Sequence, residues 1–553
     1  MKHLFFAMTL MLLIASCKPE KIEINTDPDP ENFSYNNITA TDALNRTLPS
    51  WEEVGSSKEK KQVGIFYWTW HTQLSKNGQR IPYNLTEMLE GHPEAIHDYN
   101  HPLWPKDPET VYFWGEPLFG YYLDTDEWVL RKHAELLAMA GVDVVIFDCT
   151  NGSFTWKESY MALCKTFMKA RQEGVDTPKI AFLLAFFPTD GSKIAIEEIY
   201  NDLYKPGYYK DLFFMWEGKP LIMAYPDNVS PEIKNYFTFR PGQAAYNIGP
   251  TRNDQWGWLQ IYPQHGFAKK GTGYEEVPVG VAQNWSKKRL LTNMNSPDTF
   301  GRSYTDASGQ KTDKDAVNYG YNFQEQWERV LQLDPQFVFV TGWNEWNVGR
   351  FKTLQGQGNA FPDEFSQEKS RDIEPMRRGH GDNYYYQLAA NIRRFKGVDK
   401  LELASPEKSI TIDGVIDEWE KVRPIYKTSK GNTLHRDHPG WQGYHFSNAT
   451  GRNDFVSTRV ARDKDNLYFL VETAENITPI TDKAWMWLLI NTDRNRKTGW
   501  EGYDFMLNRT NPTATTLTVE KNSGGWKWEK CGEASYKVSG KVMEIKRFFR
   551  NLE

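Results

Sequence analysis

Between Val63 and Trp343, short runs of consecutive apolar residues recur with amphipathic helical segments between them, and few folds accommodate that order. The runs are residues 63–70 (VGIFYWTW), 142–148, 179–186, 219–225, 236–240, 256–262, 277–283 and 336–343. They are continuous rather than alternating, as parallel strands buried on both faces require. Helical periodicity fills the gaps, as in 126–142, 158–174, 192–204 and 322–335. Strand followed by helix, repeated, predicts an α/β domain, and eight strands predict a (β/α)8 barrel over residues 56–400. An open doubly wound sheet is the alternative, but no Gly-rich phosphate loop follows the first run.

After Lys396-Gly397 the texture changes. From Lys408 onward the segments are short, alternating and separated by turns, which predicts an all-β sandwich over 404–553. The first residues carry a different signal. Met1-Lys-His precedes an apolar run from Leu4 to Ala15, followed by Ser16-Cys17. That pattern describes an export signal too short to span a membrane. Leu13-Ile-Ala-Ser-Cys17 looks like a bacterial lipobox, which implies a signal peptide over 1–17 and lipidation of Cys17; the alternative is cleavage elsewhere. Residues 18–55, rich in Pro, Asn, Asp and Thr, read as a polar tether. The expectation is an exported monomeric lipoprotein at the bacterial outer membrane, on the periplasmic face or the cell surface, touching membrane by its anchor alone.

Composition narrows the partners. A net charge of -6 with both signs mixed gives no basic stripe for nucleic acid. Aromatic residues make up 14%, with 21 Trp and 28 Tyr, and indole faces serve equally as core and as platforms for sugars. Apart from Cys17, the cysteines Cys149, Cys164 and Cys531 are scattered, forming neither a disulfide framework nor a metal cluster. No metal or organic cofactor is expected. His92, His97 and His101 lie close in sequence, but Pro93 and Pro102 argue against a helix that would align them as ligands.

A barrel works at the C-terminal ends of its strands. Those ends carry Tyr67, Trp68, Trp70 and His71; Asp148 and Asn151; Tyr262, Gln264 and His265; Asn284 and Trp285; and Trp343, Asn344, Glu345 and Trp346. Aromatic faces with amide and hydroxyl groups suit a polyol. Glycoside hydrolysis uses two carboxyl groups. Glu345, between two tryptophans, is the first candidate; its alternative role is a structural acid paired with Arg350 or a turn. Asp148 is a second, unless it caps the next turn. Glu116 lies among aromatics in YFWGEPLFGYY, a setting suited to a general acid.

Trp343-Asn-Glu-Trp346 on the last strand, followed by Glu374-Pro375 and Gly381-Asp-Asn-Tyr384, resembles the glycoside hydrolase family 71/99-like group, which includes endo-α-mannosidases and WbsX-like proteins. The resemblance covers residues 60–397. It implies that Glu345 acts through the sugar's 2-hydroxyl, and that an acid/base Glu should stand three positions later, where this chain has Val348. Asp363, Glu364 or Glu368 from the following loop, or Glu374, could replace it. Ile412-Asp-Gly-Val-Ile-Asp-Glu-Trp419, RVARDKDNLYFLVE and INTDRNRKTGWEGYDF resemble a family 9 carbohydrate-binding module or DOMON-type sandwich. There Asp493, Asn495 and Asp504 form either a calcium loop or a turn closed by side chains. Trp485, Trp487, Trp500, Trp526 and Trp528 are platform candidates, with 485 and 487 on one face by strand alternation. Together these readings lead to a lipid-anchored, endo-acting glycoside hydrolase of a polysaccharide or glycan. Its rival is a non-catalytic surface glycan-binding lipoprotein of a polysaccharide-utilisation system.

Overall fold

The computed structural model describes residues 35–72, 82–482, 484–510 and 512–548. Residues 1–17, expected as a signal peptide ending at Cys17, and residues 18–34 of the expected tether lie outside these. Among the described residues no helix is long and apolar enough to cross a membrane.

The first domain is an α/β unit with a curled, partly parallel sheet. Its strands are β1 (Gln62–Tyr67), β2 (Val144–Cys149), β3 (Lys179–Leu184), β4 (Lys219–Ile222), β5 (Thr238–Phe239), β6 (Gly273–Gly280) and β7 (Phe337–Thr341). β1 pairs in parallel with β2 on one side and β7 on the other; β2 continues to β3 and β7 to β6. Single bridges then carry the curl from β3 to the β4 segment at Leu183–Met223 and from Gly242 to Trp256, and β4 pairs with β5.

The period of two sorts the strand residues as buried parallel strands demand. Val63, Ile65, Tyr67, Val145, Phe147, Ile180 and Phe182 pack outward under the helices. Phe66, Val144, Ile146, Ala181, Leu183, Phe337 and Phe339 pack together on the concave side. The covering helices are α1 (Glu127–Ala140), α2 (Lys157–Gln172), α3 (Asp190–Ile199), α4 (Tyr321–Leu333) and α5 (Asn383–Lys396). α1 starts where Asp126 accepts the N–H groups of Trp128 and Val129, and it stops at Gly141 in the left-handed region.

The expected sixth strand, 256–262, is a correction. Only Trp256 bridges to its neighbour. Towards β6, the Gly257 N–H is taken by the Glu276 carboxylate at 2.7 Å and the Trp256 indole by Glu275 at 3.0 Å. Pro278, opposite Gly257, has no N–H for a ladder. The chain instead returns as a short antiparallel strand, Phe267–Lys270, along β6. Residues 35–55, read from composition as tether, lie against α5: Arg393 donates to the carbonyls of Tyr35, Ile38 and Pro49 at 2.8–3.4 Å.

The second domain is a mostly antiparallel, sandwich-like sheet. Its order is β8 (Tyr426–Lys427), β9 (Phe455–Arg462), β10 (Asn466–Thr473), β15 (Val542–Phe548), β14 (Lys527–Ser539), β13 (Thr516–Gly524), β12 (Phe505–Leu507) and β11 (Leu488–Ile490). Tyr468 and Leu470 face Ile410, Trp419 and Val422, whereas Phe469 and Val471 face the opposite cluster. The 412–419 motif is pinned by Glu544, which accepts the Trp419 indole at 2.8 Å and the Gly414 N–H at 2.6 Å. Trp485 is buried and Trp487 exposed, because 485–487 precede the strand and do not share its alternation. Asp493 and Asp504 are engaged by Asn495, Thr498 and Thr492, which is the closed-turn arrangement.

Candidate active site

At the end of β7 the backbone of Trp343 donates to Phe66 and accepts from Ile373 and Glu374, so the last strand, the first strand and the 371–374 segment are tied together. This throws Glu345 inward. It is 2% exposed, and Arg371 donates to its Oε2 at 2.9 Å. The same Arg371 nitrogen lies 3.5 Å from Asp363, and its Nε lies 3.5 Å from Glu364. Asp148, at the end of β2, is equally enclosed; its Oδ1 accepts the Thr150 N–H at 3.2 Å and its Oδ2 has no partner.

Burial pushes Glu345 up to about 8, against Arg371 and with help from the charges of Asp363 and Asp148. Burial also pushes Asp148 up to about 6, opposed by Thr150 and helped by Asp363. Tyr246 faces the same charges, with the Asn284 side chain at its hydroxyl.

Aromatic faces flank these groups on two sides. Trp68 and Trp70 stack at 4.4 Å, and Trp70 meets Trp156 at 4.9 Å. Across Phe66 stands Trp258, packed on Phe186 and Tyr246, and Tyr246 in turn meets Trp285. Several buried polar atoms here have no partner in the protein: the indole nitrogens of Trp70, Trp156 and Trp258, Asn284 Oδ1, Asp148 Oδ2 and Arg371 Nη1. Donors and acceptors held apart in apolar walls are what a ligand rich in hydroxyls would satisfy.

The structure brings Trp68, Trp70, Asp148, Asn284, Trp285 and Glu345 together, with Asn151 exposed just beyond β2 and Tyr262 half-buried beyond Trp258. Other expected site residues lie elsewhere in the fold. Trp343 and Trp346 are fully buried: Trp343 packs edge-on against His133, and Trp346 stacks on Trp114 at 4.9 Å. They are core, because the chain leaves the β period after Thr341. Tyr67 turns under α1 and bonds His133 Nδ1 at 2.7 Å. Glu374, with no exposure, accepts from Tyr122 at 2.8 Å and Trp346 at 2.6 Å and bonds His133 at 2.8 Å. Both its oxygens are committed below the site.

Asn344 joins Trp68 backbone groups and so braces β1 against β7. His71 is enclosed 4.0 Å from Asp124, and burial holds it down at about 3. Gln264 bonds Gln326 of α4, and His265 points to solvent beside Gln260, since the segment has left the sheet. Arg350 lies over Tyr99 and Trp104 and bonds Asn359; it does not pair with Glu345. Glu116 is half-buried and paired with Arg377 at 3.3 Å. Glu368 is taken up by Ser303.

Val348 pairs with Tyr112 across a small sheet and packs among Leu85, Trp104 and Phe361. The position of the expected acid is therefore filled by an apolar cluster. Among the described residues no group of three or more His, Cys, Asp or Glu is arranged to hold a metal ion; His92 and His101 both approach Glu94.

Sequence reading missed Arg371, Tyr246, Trp258 and Trp156. Trp258 alone had a signal, as the inward position of the sixth run; Arg371 was visible only as the start of RDIEP.

No family model matches this sequence, and no curated protein matches it. Among solved structures, a GH99 endo-alpha-mannosidase from Bacteroides thetaiotaomicron superposes with a TM-score of 0.34 at 15% identity, covering 60% of this chain and 97% of that one. A Thermotoga maritima alpha-fucosidase gives 0.27 at 12%, covering 91% and 97%. A family 39 glycoside hydrolase from Bacteroides cellulosilyticus WH2 gives 0.23 at 9%, covering 92% and 86%. These superpositions are loose, and the meaning of the site comes from its own side chains.

Proposed function

We propose that this chain is a glycoside hydrolase that cleaves internal bonds of a polysaccharide or glycan, with Glu345 as a catalytic carboxylate at the mouth of a (β/α)8 barrel. The observation that carries the reading is the enclosure of Glu345 and Asp148, from two strand ends, between indole walls that also hold unpartnered hydrogen-bonding atoms. Their environments separate the two acids, at about 8 and about 6, so that near neutral pH one keeps its proton and the other is ionised. Such a pair can protonate a leaving oxygen while stabilising positive charge on a sugar ring. In this reading Trp68, Trp70 and Trp258 are subsite walls, and Asn284, Tyr246 and Arg371 bind hydroxyls. The chain is exported, anchored through lipidated Cys17 and monomeric.

One observation favours a second reading, a surface glycan-binding lipoprotein without catalysis: Val348 sits in an apolar cluster where the resembled family has its acid. Reducing-end release from α-mannans, α-glucans and host-type glycans separates the two, with the protein lacking residues 1–17 compared with Glu345→Gln. Loss of about three orders of magnitude or more in the variant supports hydrolysis through Glu345. Measurable binding of one glycan with no cleavage by either protein supports the second reading.

A further inference from the structure

The second carboxyl group is the open question of this site. Three acids surround Arg371 and Glu345, and they are not equivalent. Glu364 is fully buried and accepts the Arg371 backbone N–H at 3.0 Å, so it is occupied in holding the loop. Asp148 is as enclosed as Glu345, has one oxygen on the Thr150 N–H, and keeps the role of stabilising positive charge. Asp363 has a side chain 43% open to solvent, although its neighbours on both sides are pinned. Pro362 accepts the Met294 N–H at 2.9 Å, and Glu364 is fixed as described. Phe361 is tied to Asn295 at 2.9 Å. An exposed carboxylate on an anchored backbone is held in place and still reached by water.

Its relation to Glu345 is set by a shared partner. One nitrogen of Arg371 lies 2.9 Å from Glu345 Oε2 and 3.5 Å from Asp363 Oδ1. The two distances added set an upper limit of about 6.4 Å on the separation of those oxygens. Oxygens no farther apart than that are compatible with the roughly 5–5.5 Å carboxyl separation of retaining pairs, and the configuration of the product decides against the roughly 6.5–9.5 Å of inverting ones.

We infer that Asp363, on the loop after the Gln357–Ala360 strand, is the second carboxyl group of the reaction, working with Glu345 in a retaining double displacement. The inference rests on the glycosidase reading. In the first step Glu345 gives its proton to the glycosidic oxygen, the bond from that oxygen to the anomeric carbon breaks, and its electron pair stays on the oxygen. An Asp363 oxygen bonds the anomeric carbon, forming an ester. In the second step water gives a proton to Glu345 and its oxygen to the anomeric carbon, and Asp363 leaves as a carboxylate. Water is the only reagent consumed, and both acids return to their starting states. Arg371 positions both carboxyl groups. Val348 leaves no gap in this scheme, because Glu345 is the proton donor and the loop supplies the nucleophile.

The test uses the protein lacking residues 1–17 on the same α-mannan, α-glucan and host-type glycan panel. Asp363→Asn should lose about three orders of magnitude in rate with its thermal unfolding unchanged, since the side chain is half in water. Sodium azide should restore turnover to Asp363→Ala, giving a glycosyl azide of inverted anomeric configuration, and the intact enzyme should release a product of retained configuration by proton NMR. Undiminished cleavage by Asp363→Asn, an inverted wild-type product, or azide rescue of Asp148→Ala in place of Asp363→Ala would each overturn the assignment while leaving the glycosidase reading in force. No cleavage of any glycan by the intact enzyme would sink that reading, and the inference with it.

Discussion

Glu345 shows how one enclosed side chain can cost stability. It is enclosed beside Asp363 and Asp148, and its one cation, Arg371, is shared with Asp363 and Glu364. Burial therefore wins, and the acid form is held up to about 8. In the unfolded chain a Glu ionises near 4.3. Below that pH both states are protonated and nothing is lost. As pH rises the unfolded chain ionises first, so stability drains away progressively until about pH 8, above which the loss is constant. Glu345→Gln has no proton to lose. It should unfold at the same temperature as the parent near pH 4 and at a higher temperature at pH 8, by several degrees for each few kcal/mol recovered. Calorimetry at the two pH values checks this. A variant less stable at pH 8 would mean that the ion pair with Arg371 outweighs burial.

At the scale of elements, legibility in the sequence followed locality. Seven of the eight apolar runs are strands, and the helical segments lie where their period put them, because burial on both faces writes itself into consecutive residues. The direction of side chains just past a strand is not written that way. Trp343, Glu345 and Trp346 look alike in sequence, yet the backbone bonds of Trp343 to Phe66 and Glu374 turn the indoles into the core and the acid toward Arg371. Arg371 lies 26 residues from Glu345, and no local pattern announces such a partner. The failed sixth strand has an equally specific cause in Gly257 and Pro278. A Cβ on residue 257 would sit 2.5 Å from Pro278 Cγ and 2.8 Å from the Phe267 ring. Gly257→Ala should therefore cost about 1–3 kcal/mol, the range for overpacking a filled interior, read as a lower urea midpoint at unchanged slope. No shift would mean that the segment can move away from β6.

Across the whole molecule, the second domain is built into the first. The hairpin formed by Arg436–Pro439 and His445–Asn448 reaches over the 111–123 segment: Trp441 is fully buried against Phe113, and Phe446 fills the space above Gly120. Arg436 pairs with Asp126 at 2.7 Å, both side chains nearly without exposure, and donates to the Phe119 carbonyl at 2.9 Å. Asp126 caps α1, and α1 carries His133, which bonds Glu374 beneath Trp346, the residue after Glu345. A boundary in composition near residue 404 is thus no boundary in packing. Removing one partner of a buried ion pair leaves the other charge without compensation and typically costs about 3–5 kcal/mol. Arg436→Met keeps the volume and strands Asp126. It should lower stability by about that amount, and because the pair ties the domains, both should unfold in one transition in the parent. In the variant the α/β domain should melt first, followed by tryptophan fluorescence alongside far-ultraviolet dichroism. Two separate transitions in the parent, with the first insensitive to Arg436→Met, would show instead that the hairpin contributes little to holding α1 and that the second domain is a detachable module.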